Sequence, residues 1–310
     1  MNLDSMSEII AASVSENKPI WELVIEADME NRAVTRENTI EKMKKAWQTM
    51  VDASENYDPQ RRSMSGLVGG QGEQMRAYAA KGDTIGGSFT AEVMAEALAM
   101  GESNACMCRV VAAPTAGACG VMPAVLIPFY RREKISDERM VEAMLVASGI
   151  GAVLAFRASI SGAAGGCQAE IGSASAMAAG ALVTLRGGTA EQVGHAVAMA
   201  LKNLMGLVCD PVAGLVEVPC VKRNVIGAMN AIAAADMALA GIESRIPVDE
   251  VIDAMGDVGR RLPVEFRETA LGGLAATPTG KAVKDSLLSN KKKTMTLVIK
   301  DAKFKLKKNS

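Results

Sequence analysis

Apolar positions spaced by threes and fours run through most of this 310-residue chain. Between residues 5 and 56 the pattern is helical with a polar face, clearest in "TRENTIEKMKKAWQTMVDASEN", where Ile40, Met43, Ala46, Trp47 and Met50 fall on one side. "YDPQRRSMSGLVGGQG" (57–72) interrupts it with proline, glycine and serine and predicts a loop. Helical patterns resume at "EQMRAYAAKG" and "TAEVMAEALAMGESNA". The apolar run "MLVASGIGAVLAF" (144–156) meets Arg157 before reaching the roughly 20 residues of a membrane span, so it predicts a buried helix.

From 104 to 280 small residues crowd the pattern. "SISGAAGGCQAEIGSASAMAAGALVTLRGG" carries Gly, Ala and Ser on nearly every helical face, which predicts a central helix over roughly 168–186 that neighbours or a ligand can approach closely. "TAEQVGHAVAMALKNLMGLV" opens with the capping-box spelling of Thr189 and Gln192 and predicts a helix running into Cys209. Further helices are predicted over 221–242 and in "PVDEVIDAMGDVGRRL", with Pro247 suited to a first turn. No alternation of strand and helix emerges and no internal repeat is found. The expectation is an all-α (mostly α) fold in three parts: an N-terminal helical segment (1–56), a central domain (57–280) and a lysine-rich tail (281–310). Within the tail, "TMTLVIK" is compatible with a solvated end, a short strand or a partner-docking segment.

Composition sharpens this. Aromatic residues make up only 3% while 20 methionines and many alanines and glycines are present, which favours closely packed helices over β-sandwiches. With 34 Lys+Arg against 35 Asp+Glu the net charge is −1, so no global field draws the chain to nucleic acid or an anionic membrane. The N-terminus lacks the basic and apolar regions of a signal peptide, which leads us to expect a cytoplasmic protein. In that reducing setting the six cysteines are expected as free thiols or metal ligands rather than disulfides. No C-x-x-C occurs, and Cys106 and Cys108 form a C-x-C. Cys167, Cys209 and Cys220 differ from these because each falls at a predicted junction of helix and loop. A helix N-terminus, expected at Cys167 and Cys220, favours anionic sulfur. Three thiolates on a cluster of four irons and four sulfides would leave one iron free to act as a Lewis acid. Spacing alone leaves that reading open beside small buried cysteines in a core.

Four stretches carry more: "APTAGACGVMPAVL" (113–126), "SISGAAGGCQAEIGSASAMAA" (159–179), "GLVCDPVAGLVEVPCVKRN" (206–224) and "FRETALGGLA" (266–275). Together they resemble the α chain of the bacterial iron–sulfur-dependent L-serine dehydratases, over roughly residues 60–280. The resemblance implies a lyase that eliminates water from L-serine to give pyruvate and ammonia, with a [4Fe-4S] cluster on the cysteines of G-C-Q, C-D-P and V-P-C. Carried onto this chain these are Cys167, Cys209 and Cys220, with Cys106, Cys108 and Cys119 outside the cluster. Single-chain relatives carry a further domain and a C-terminal cysteine that reaches the cluster at rest, whereas this chain ends "KLKKNS". The family's Ser-Ser-His-Thr stretch, with its active-site histidine, belongs to the β portion and does not occur here. The resemblance therefore implies the α subunit of a two-chain enzyme.

On that reading Thr115 and Gly117 are candidates to present donors to the substrate carboxylate. Lys222 and Arg223, positive charges near a predicted helix start, are candidates to face something anionic. Glu170 is a candidate proton acceptor or amine partner, and the sole histidine, His195, is expected to be structural. The 57–72 loop has no phosphate-binding spelling and is read as a mobile cover for substrate. Two alternatives are a cysteine desulfidase-type lyase, separated by sulfide release, and a non-catalytic iron–sulfur sensor or scaffold, separated by turnover. A pyridoxal-phosphate enzyme is disfavoured, since no phosphate cup with a Schiff-base lysine is recognisable.

Overall fold

The computed structural model describes residues 3–289. Short caps set the first helices: Ser5 opens α1 (Met6–Ser15), Pro19 precedes α2 (Ile20–Arg32) and Thr35 opens α3 (Arg36–Glu55). The loop over 57–70 leads to α4 (Gln71–Ala79), α5 (Gly87–Ala105), α6 (Val121–Glu133) and α7 (Asp137–Arg157). A single turn, α8 (Gly162–Gly165), and a π-helical stretch (Gln168–Gly172) then feed α9 (Ser173–Leu185). The capping box predicted at Thr189 and Gln192 is present at the start of α10 (Ala190–Leu204). After a long irregular segment come α11 (Cys220–Leu239) and α12 (Val248–Arg261), and a further helix covers 278–289. Among the described residues there is no β-strand beyond one isolated bridge, so the mostly helical expectation is met.

α9 is the axis of the molecule. Every residue from Ser173 to Val183 is buried, and α6, α7, α10 and α11 pack around it. Small side chains make that possible: a Cβ on Gly180 would run into Ile150 of α7. α7, which contains the apolar 144–156 run, is the one described helix long and apolar enough to cross a membrane, and its apolar residues are taken up by α2, α3 and α9.

Four local expectations change. The helix leading toward Cys209 stops at Leu204, because Gly206 adopts φ +88° and the chain leaves the helical path, so Cys209 lies in extended backbone rather than at a helix end. The central helix predicted from 168 starts as a π stretch before α9 begins at Ser173. The lysine-rich tail expected from 281 begins inside the 278–289 helix, while "TMTLVIK" lies outside the described residues. The 57–72 loop, read as a mobile cover, is pinned: Ser63 donates to the buried Glu217 carboxylate at 2.7 Å, Ser65 donates to the same oxygen, and Gln71 N–H donates to buried Glu102 at 2.8 Å.

Candidate functional site

Four separate stretches of chain converge on the C-terminal side of the turn α8. The first is "GGCQAE". Gln168, fully buried behind Cys167, donates through Nε2 to Met255 O (3.0 Å) and accepts from Gly206 N–H (2.8 Å), while its own N–H donates to Leu207 O (3.0 Å). One side chain thus ties the Cys167 segment to the segment that carries Cys209. The i→i+5 turn that follows is a form often met at functional sites, and Glu170 projects from it.

The second and third stretches meet at Cys209. Its N–H donates to Phe266 O and its C=O accepts from Glu268 N–H, both at 2.8 Å, which makes the parallel bridge between Cys209 and Arg267. Paired residues of such a bridge put their side chains on one face, and the buried Nε of Arg267 has no hydrogen-bond partner among the described residues. Next along, buried Asp210 accepts from Arg223 Nη2 (2.9 Å) and from Leu274 N–H (2.8 Å), so "CDP" anchors both α11 and the 266–275 loop. Arg223 also donates to Val208 O at 2.7 Å.

The fourth stretch is "APTAGACG". Asn224, one turn into α11 from Cys220, donates to the carbonyls of Cys220 and Gly117 and accepts from Gly120 N–H, with distances of 2.8–2.9 Å. That fixes the 117–120 turn against the start of α11. Thr115 Oγ1 then donates to Glu170 Oε1 at 2.8 Å, and a Cβ on Gly117 would stand 3.1 Å from the same oxygen. On the other side of Glu170, a Cβ on Gly162 would stand 2.8 Å from its Oε2 and 3.1 Å from Cys209 Sγ. The absent side chain at Gly162 keeps the space between thiol and carboxylate open.

Burial governs the charges here. It pushes the Cys167 thiol up to about 11, with the neighbouring Arg223 guanidinium pulling the other way, and Cys220 up to about 12. Cys209 is raised further by burial and then by Cys167, Glu170 and Cys220. Cys167 and Cys220 therefore both lie near enough to raise Cys209, and Cys167 near enough to raise Cys220. Burial also raises Glu170, against the Thr115 hydrogen bond, with Glu268 adding to the rise. Among the described residues no three His, Cys, Asp or Glu side chains form a site for a single metal ion. Thiolates on one tetrahedral ion stand about 4 Å apart, whereas a cluster gives each thiolate its own iron and accepts a wider spread. The buried all-sulfur donor set, the cation beside Cys167 and the opening at Gly162 fit the wider group.

Of the predicted residues, Cys167, Cys209, Cys220, Glu170, Thr115, Gly117 and Arg223 meet in this region. Lys222 does not: it is exposed and lines a separate open cavity of about 840 Å³ with Gln71, Tyr78 and Ile226. Neighbours on a helix point about 100° apart, so Arg223 turning inward sends Lys222 out. His195 accepts from Ser244 N–H at 3.3 Å and lines another cavity, of about 690 Å³. Cys119 is buried against Met100 O, and Cys106 and Cys108 are half-buried on the far end of α5. Gln168, Asp210, Asn224, Gly162 and Glu268 were not singled out from sequence, although each lies in or beside a stretch that was.

Residues 15–275 match the family model described as serine dehydratase alpha chain. The "Probable L-serine dehydratase, alpha chain" of Bacillus subtilis (strain 168) is 46% identical over 283 residues, covering 91% of this chain and 94% of its own. "L-serine dehydratase, alpha chain" of Peptoniphilus asaccharolyticus is 42% identical over 287 residues, covering 92% and 98%. "L-serine dehydratase TdcG" of Escherichia coli (strain K12) is 46% identical over 181 residues, 58% of this chain and 40% of that longer protein.

Proposed function

Because this chain belongs to the serine dehydratase alpha-chain family, we propose that it is the catalytic α subunit of an L-serine dehydratase, eliminating water from L-serine to give pyruvate and ammonia. The observation that carries the site is the meeting of three thiols from three separate segments beside one buried carboxylate. We assign Cys167, Cys209 and Cys220 as the holders of a [4Fe-4S] cluster. When bound, such a cluster with only three protein thiolates supplies Lewis acidity toward the substrate β-hydroxyl, which makes hydroxide a better leaving group.

The chain's own residues do the rest. Arg223, its side chain largely buried between Asp210 and Cys167, supplies positive charge beside the thiolates. Arg223 gives two of its donors to Val208 O and Asp210, whereas the buried Nε of Arg267, on the bridge face of Cys209, has no hydrogen-bond partner among the described residues, and Arg267 is assigned to the substrate carboxylate together with N–H groups of the Thr115–Gly117 turn. Glu170 is assigned to take a proton from substrate or hold its ammonium group, with its orientation set by Thr115. A hydrogen bond to a charged group is worth about 1.5–3 kcal/mol. Thr115→Val is therefore expected to lower kcat by about tenfold or more, with iron content unchanged. An unaltered kcat would remove Thr115 from this role.

The alpha-chain names of its relatives support a second, β chain. The test is turnover: the anaerobically purified chain, mixed with its β chain, is expected to release pyruvate and ammonia from L-serine in equal amounts, and the α chain alone only slowly. No release from the mixture overturns the reading, and full activity of α alone overturns the need for a partner.

A further inference from the structure

The C-x-C at the end of α5 plays no part in the site above, yet its two thiols are the accessible ones: Cys106 and Cys108 are half-buried, the other four buried. α5 ends there in a chain reversal. Met107 N–H donates to Asn104 O (3.0 Å) and Cys108 N–H to Ser103 O (2.8 Å), with exposed Met107 at φ +61° where glycine is the usual residue. The reversal folds Cys108 back until its Sγ lies 3.9 Å from Cys106 O. A turned C-x-C keeps its Cα atoms under the about 7 Å of an extended pair, inside the span of a disulfide.

The second observation is a cation. Arg61 Nη1 donates to Cys108 Sγ at 3.4 Å, reaching over from the 57–70 loop. A guanidinium on sulfur favours nucleophilic attack by that sulfur. Burial, and then the neighbouring Cys108, raise the Cys106 thiol, so Cys106 suits the second step rather than the first.

We propose that Cys106 and Cys108 form a peroxide-reactive dithiol, with Cys108 the attacking and Cys106 the resolving thiol and Arg61 the activating cation. The Cys108 thiolate attacks one oxygen of a hydroperoxide, the O–O bond breaks, and the departing oxygen takes a proton, leaving sulfenic acid on Cys108. The Cys106 sulfur then attacks the Cys108 sulfur, the S–O bond breaks, and water leaves with the Cys106 proton. Two thiols lose two electrons and the peroxide gains them. Arg61 sits on the loop whose Ser63 and Ser65 hold Glu217, three residues before Cys220, so one loop joins the dithiol to the segment that carries Cys220 through these hydrogen bonds and short lengths of chain.

The experiment uses the full chain, purified anaerobically, given one equivalent of hydrogen peroxide and quenched with a thiol alkylator. The tryptic peptide 82–109 contains these two cysteines and no other. It is expected to appear two hydrogens lighter and unalkylated, at least about tenfold faster than Cys119 is modified. In Cys106→Ser the reaction stops at a sulfenic acid on Cys108 that dimedone traps, in Cys108→Ser neither product forms, and Arg61→Leu slows disulfide formation several-fold. If peptide 82–109 stays reduced while exposed Met107 is oxidised, the dithiol is refuted. If Arg61→Leu reacts at the unaltered rate, the role of Arg61 is refuted.

Discussion

Cys209→Ser is expected to leave the anaerobically purified chain without iron and acid-labile sulfide, and the assembled enzyme without measurable turnover, while the chain still folds. The fold survives because what Cys209 gives the structure is backbone: its N–H and C=O bond Phe266 and Glu268, and serine keeps both. What is lost is chemistry. A buried serine hydroxyl stays protonated and hard, whereas iron–sulfur centres take soft thiolate. Cys106→Ser, on the far end of α5, is the comparison and should keep iron and turnover within about twofold. Iron and sulfide determination, with thermal melting as the check on folding, measures all of this. Equal loss of iron in both variants would sink the assignment of the ligands, and iron retained in Cys209→Ser would sink it as directly.

The helical fold was legible because its signals are local. The Thr189–Gln192 box and the three-and-four spacing around Trp47 need only neighbours in the chain, and both predicted elements are present. The run into Cys209 misled because "LMGLV" stays apolar after the helix has stopped; the apolar pattern records contact with the core, and partly buried Met205 and Leu207 keep that contact beyond the helix end. The motifs single out the thiols and Glu170, and the fold brings those segments near one another. Their supports were not legible, since Gln168, Asp210 and Asn224 act through hydrogen bonds to residues tens of positions away, such as Asn224 to Gly117. Adjacent Lys222 and Arg223 were indistinguishable in sequence, and only the facing of α11 separates them.

Asp210→Leu is expected to be the most destabilising single change at the site, and the reason is what it leaves behind. Asp210 and Arg223 are both largely buried, with side-chain exposures of 4% and 12%. Removing the carboxylate strands the guanidinium and also frees Leu274 N–H, at a cost of about 3–5 kcal/mol. For a chain of this size that corresponds to a fall in Tm of roughly 5–8 °C. Arg223→Met should cost a similar amount from the other side. The double variant Asp210→Leu, Arg223→Met removes both charges, and buried pairs replaced by apolar residues regain much of the loss, so its Tm should recover by at least about half. Its iron should not recover, because the positive charge beside Cys167 is gone. Melting and iron content thereby separate two roles of one arginine. A double variant that regains both would make Arg223 a structural partner of Asp210 and nothing more, and one that melts as low as the single variants would refute the pairing as the source of the cost.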